Sequence, residues 1–120
     1  MTATLLAMLL QASAIAPPAD VQSLPPLALH DRQAQGPQVA EFVRGEVRAG
    51  RCDLPPDRTT LDLAVLVSAT GRVRRIVPQA IGCATVEQFA AGLVLRSTRD
   101  NLVAPATDAW FRATVTLAGP

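Results

Sequence analysis

From residue 37 onward the apolar positions recur with two different periods. Val39, Phe42, Val43 and Val47 fall at i, i+3, i+4 and i+8, which is one face of a helix. Glu41, Arg44 and Arg48 take the other side, at spacings that allow weak ion pairs. Pro37 suits the first helical position, where its missing N–H would have no partner, and Gly50 is a natural stop. Between Thr59 and Ser68 the period drops to two. Leu61, Leu63, Val65 and Val67 share one face, and Asp62, Ala64 and Leu66 share the other. Both faces are largely apolar, which predicts a strand at the centre of its sheet. Ala69-Thr70-Gly71 is a tight turn into a second strand, Arg72 to Ile76, with Val73 and Arg75 facing opposite to Arg74 and Ile76. Pro78 cannot donate a ladder hydrogen bond and places this strand at an edge. A second helix follows Gly82-Cys83. Thr85-x-x-Gln88 reads as its capping box, and Val86, Phe89, Ala90, Leu93, Val94 and Ser97 as its buried stripe. Trp110 to Leu117 is a third strand. Phe111, Ala113, Val115 and Leu117 are expected on its core side, and Trp110, Arg112, Thr114 and Thr116 on the other.

The predicted order is α-β-β-α-β. This is an α+β fold with a small three-stranded antiparallel or mixed sheet and two helices on one face. The first strand is expected in the middle, the third on its far side, and the second helix in a right-handed crossover.

The chain before residue 37 has a different character. Residues 1–16 are apolar and end in small residues, with Ala12-Ser13-Ala14 as an A-x-A cleavage site. The stretch is far short of the ~20 apolar residues that a spanning helix needs. We expect a signal peptide and a periplasmic location; the alternative is an N-terminal helix packed on the domain. Residues 17–36 contain Pro17-Pro18 and Pro25-Pro26 among polar positions and read as an extended linker. His30, the one histidine, falls there and is expected to be solvated. Residues 37–120 form the folded domain, at about 85 residues small for an independent core.

Composition narrows the function. The net charge is +1 and aromatics make up 3% of the chain, so neither nucleic acid nor a base-stacking surface is expected. Two cysteines and one histidine do not close a zinc site without carboxylates. With one linker histidine there is no Ser-His-Asp set, and no glycine-rich phosphate loop occurs. No enzyme, metal or cofactor is therefore expected. Cys52 follows the first helix and Cys83 precedes the second. If both helices pack on one sheet face their ends can meet, and in an exported protein an even cysteine count favours a disulfide. Two buried free thiols are the alternative. From residue 63 onward six Arg stand against three acids, and Arg72, Arg74 and Arg75 cluster on the hairpin. They read as a solvated edge that blocks aggregation, or as a dock for an acidic segment. The third strand, if an edge, can accept an extended peptide by strand addition, with Trp110 as anchor beside Arg112, Thr114 and Thr116.

Residues 37 to 118 resemble the TonB C-terminal domain family. Leu61-Asp-Leu-Ala-Val-Leu-Val-Ser-Ala-Thr-Gly-Arg-Val73 is similar to that family's first strand, its turn ending in Gly-Arg-Val, and the start of its second strand. Gly82-Cys83 to Arg99 resembles the helix after the hairpin, and Val103-Ala-Pro-Ala106 resembles the F-x-P-A that follows it. Trp110 to Leu117 resembles the closing strand, and Leu54-Pro55 sits where many members carry Tyr-Pro. Energy-transducing members carry a membrane anchor and a long Pro-rich spacer. Here the linker of about 20 residues reaches ~70 Å at most, and the Tyr of Tyr-Pro is absent. The resemblance thus implies the binding module rather than force transduction. It implies a short stand-alone protein-interaction domain in the periplasm, whose last strand pairs with a partner segment such as the N-terminal box of a TonB-dependent receptor. The alternative is a structural module of the cell envelope that forms homodimers through its sheet and has no role in transport.

Overall fold

The computed structural model describes residues 16–32 and 35–118. The expected signal peptide lies outside the described residues, apart from Ala16. Two helices, α1 (Gln38–Arg48) and α2 (Ala84–Ser97), and three strands, β1 (Thr60–Val67), β2 (Val73–Pro78) and β3 (Ala109–Thr116), follow in the order α1, β1, β2, α2, β3. The sheet order is β2-β1-β3, and β1 is antiparallel to both neighbours. The α+β class, the element order and the central position of β1 follow the sequence pattern.

The core lies on one face of the sheet. Leu61, Leu63, Val65 and Val67 are each at most 1% exposed and cluster with Val39 of α1 and with Val86, Ala90 and Val94 of α2. Both helices therefore cover the same face. Phe42 and Phe89 stack between them, with ring centroids 4.3 Å apart. At the hairpin, Gly71 adopts a φ of +78° in the turn that Gly71 N–H closes onto the Ser68 carbonyl, a conformation costly for any residue with a Cβ. Among the described residues no helix is long and apolar enough to cross a membrane.

Five local expectations change. The linker reading fails for residues 20–32, which form a strap: a 3-10 turn at Val21–Ser23 followed by an extended run bonded to the domain. In β2 the register shifts by one residue, so Val67 pairs with Val73 and Leu66 with Arg75. Arg74 is the extra residue of this bulge, and Val73 and Ile76 both face the core instead of opposite sides. In α1 the apolar stripe ends early, for Val47 is 43% exposed while Glu46 is buried. Glu46 Oε2 accepts hydrogen bonds from Arg51 Nε and Thr85 Oγ1, both at 2.9 Å, which compensates its burial. Thr85 lies inside the first turn of α2, which begins at Ala84, so it is not at the capping position. The residue before α2 is Cys83, and Glu87 Oε2 instead reaches back to the N–H groups of Ile81 and Cys83. Ser97, expected in the buried stripe, is exposed.

Pro78 shows why β2 tolerates its place at the edge. Its partner is Leu63, and the flanking Gln79 N–H to Asp62 carbonyl bond makes Leu63–Pro78 a pair without ladder hydrogen bonds. The proline nitrogen thus points outward, where no bond is lost.

Candidate interaction site

Cys52 and Cys83 are joined by a disulfide, with Cα atoms 5.0 Å apart. Both residues are buried in the core cluster. The bond ties the loop after α1 to the start of α2, and Thr85 Oγ1 lies 3.5 Å from the Cys83 sulfur. With Glu46 bonded to Thr85, the two helix ends form one covalent and polar junction. The bridge fixes the helices over the sheet and leaves β3 on the far side of β1.

The alternation of β3 decides which of its backbone groups are free to bind. Leu117 N–H bonds the Thr59 carbonyl, so Ala109, Phe111, Ala113 and Val115 turn their N–H and C=O groups toward β1. Trp110, Arg112, Thr114 and Thr116 turn theirs outward. The four residues singled out from sequence are thus the four whose backbone forms the outer edge.

The strap occupies one of these four steps, and Gln35, beyond it, occupies a second. Arg112 N–H donates to the Pro25 carbonyl and Leu27 N–H donates to the Arg112 carbonyl, both at 2.8 Å, in a parallel bridge. The side-chain amide of Gln35 imitates a peptide group at the next position: its Nε2 donates to the Thr116 carbonyl at 2.6 Å and its Oε1 accepts from Thr116 N–H at 3.0 Å. Among the described residues the outward backbone groups of Trp110 and Thr114 have no such partner.

Side chains hold the strap as well. Leu27 is buried with the core cluster and Leu29 packs against it, where a backbone bridge also pairs Leu29 with Leu102 after α2. Asn101 clamps the far end, its Oδ1 accepting from Asp31 N–H and its Nδ2 donating to the Asp31 carbonyl. On the sheet face away from the helices, Asp62 is buried and bonded by Gln22 Nε2 and by Thr114 Oγ1. The Arg112 guanidinium donates to the Gln22 carbonyl at 2.8 Å. The 3-10 turn therefore lies over the open face and covers part of it. His30 lies within the strap with its side chain exposed, as expected, though its N–H bonds the Asn101 carbonyl.

Trp110 is half-buried and sits opposite Leu66 on the open face. Its indole Nε1 is shielded from solvent without a hydrogen-bond partner among the described residues. A cleft of about 640 Å³ runs between the strap, the start of α1, the end of α2 and β3, with Leu27, Val39, Leu93 and Val94 among its lining.

The strap has a signal in the sequence. Pro25-Pro26-Leu27-Ala28-Leu29 is a stretch that favours extended backbone and carries apolar residues two apart, which is strand-like. Gln35 and Asp62 have none, because their partners are fixed only by tertiary structure. Among the described residues no group of three or more His, Cys, Asp or Glu is placed to hold a metal. Comparison with family models, with curated proteins and with solved structures finds no match for this chain.

Proposed function

We propose that the chain is a non-enzymatic protein-interaction module of the periplasm, similar to the TonB C-terminal domain, which takes an extended partner segment at β3. The observation that carries this reading is the state of the β3 edge. Its outward groups at Arg112 and Thr116 already bond extended chain or an amide that imitates it, and those at Trp110 and Thr114 are left over. An added strand satisfies all four steps, where the strap and Gln35 together satisfy two. The partner segment, a receptor's N-terminal box in the reading that the resemblance suggests, exchanges with the strap, so affinity reflects the difference between the two pairings. Backbone hydrogen bonds supply the general attraction and Trp110 supplies an anchor.

Trp110 is the sole tryptophan, so its emission reports on this edge directly. Titration with peptides copied from receptor N-termini is expected to shift that emission saturably. Trp110→Phe, followed by calorimetry, is expected to weaken binding about tenfold, the size of a modest hot spot. A panel without any binder, or binding that Trp110→Phe leaves unchanged, speaks against the reading.

A further inference from the structure

The other edge of the sheet has no strap. Beyond the Asp62–Gln79 contact, the register makes Ala64–Val77 and Leu66–Arg75 the hydrogen-bonded pairs of the hairpin, so the N–H and C=O of Ile76 point away from β1. No described residue bonds them. Beside this edge runs a groove of about 410 Å³ between β2 and α2. Its floor and far wall are Val73, Ile76, Gln88, Ala91, Gly92 and Leu95. Leu95 is 51% exposed although apolar, and a Cβ built on Gly92 meets nothing within 4 Å. The groove thus has room for side chains and an apolar wall to receive them.

Its charge selects the occupant. Arg74 and Arg75 stand along the β2 edge beside the groove and Arg72 precedes them, while no acidic residue lines it. Arg74 pairs with Asp108 at 3.4 Å in an exposed contact, and Arg72 and Arg75 have no ion-pair partner among the described residues. A second copy of this chain does not fit here: two β2 edges side by side would bring like charges into cross-strand register, which is destabilising. An extended segment with alternating acidic and apolar residues meets the pattern. Its apolar side chains enter the groove, and its carboxylates face Arg75 on the opposite side of the sheet.

We infer that the β2 edge and the groove under α2 form a second docking site, for an acidic extended segment of a partner protein, distinct from β3 and independent of what binds there. The probe is an eight-residue peptide of alternating Val and Glu, with a Val–Lys peptide of equal length as control. Each is titrated into the isotope-labelled full chain and followed by amide chemical shifts. The expected result is perturbation centred on Arg74 to Val77 and on Gln88 to Leu95. The Glu peptide is expected to bind at least about tenfold more tightly than the Lys peptide at low salt, with the margin shrinking as salt rises. Arg75→Glu is expected to reverse that preference. Gly92→Trp, which fills the groove without touching the edge and raises helix propensity, is expected to weaken the Glu peptide about tenfold. Shifts centred on β3, equal affinity for both peptides, no binding up to millimolar peptide, or no effect of Gly92→Trp would each overturn the inference. So would self-association of the chain through β2.

Discussion

Replacing both Cys52 and Cys83 by serine is expected to lower the stability of the domain by about 3–4 kcal/mol. The bond closes a loop with a sequence separation of 31, and opening it returns that much chain entropy to the unfolded state. A domain of this size has only about 5–10 kcal/mol in total, so the loss is a large share. Two further effects act in the same direction. Both cysteines are buried, and serine brings a hydroxyl to each buried position. The junction of Glu46, Arg51 and Thr85 loses its covalent neighbour. Urea unfolding of oxidised, reduced and doubly substituted chains measures the effect. A midpoint unchanged by reduction would show that the helix ends are held by packing alone.

Leu27→Asp is expected to detach the strap while leaving the sheet and helices folded. Leu27 is the strap residue buried with the core, and its side chain contributes about 1.5–3 kcal/mol by burial. A carboxylate cannot remain there unpaired, and the strap can leave at less cost than the domain can unfold. The local opening equilibrium should rise by at least about 10- to 150-fold, the equivalent of that burial energy. Hydrogen exchange at Leu27, Arg112 and Val103 is expected to quicken together, because these amides bond across the strap. Amides of β1 paired to β2 should exchange as before. If peptides add at β3, this variant binds them more tightly than the native chain by a similar factor, since the competitor in cis has been removed. Uniformly faster exchange throughout the domain would mean instead that the strap is an integral layer of the fold.

Much of the architecture is legible in the pattern of residues, for reasons that can be named. Leu61, Leu63, Val65 and Val67 alternate so regularly, with apolar residues also between them, that β1 belongs in the middle of a sheet. Pro78 marks β2 as an edge because a missing N–H has few places to go. The cysteines lie at two helix ends on the same side of the sheet, so the disulfide follows once both helices share a face. What was not legible depends on a single residue or on distant contacts. One bulged position, Arg74, moves Val73 and Ile76 to the same face, and strict alternation carries no warning of it. Glu46 is buried because Arg51 and Thr85 arrive from other elements. Glu87 replaces the Thr85-x-x-Gln88 box because α2 begins at Ala84, ahead of Thr85, and Glu87 is the side chain that reaches the N–H groups of Ile81 and Cys83. At the candidate site periodicity alone sets Trp110, Arg112, Thr114 and Thr116 at alternate positions of one strand, and these are the positions whose backbone turns outward. It does not reveal that residues 20–32 return to that edge, because the spacing of Leu27 and Leu29 favours extended backbone but does not say which surface that backbone meets.

The strap gives the two sheet edges different roles. At β3 an added strand would have to displace the chain's own segment, and at β2 the outward groups of Ile76 are open beside arginines. The covalent junction at Cys52–Cys83 keeps the helices fixed over the opposite face, so exchange at β3 need not disturb the core.

The measurement that tests this account most directly is residue-resolved hydrogen exchange of the full chain with and without a receptor-derived peptide. The account predicts a specific pattern at saturation. The amides of Trp110 and Thr114 gain protection, those of Arg112 and Thr116 keep it, and that of Leu27 loses it as the strap gives way. A bound peptide that leaves Leu27 protected and Trp110 and Thr114 unchanged would contradict strand exchange at β3.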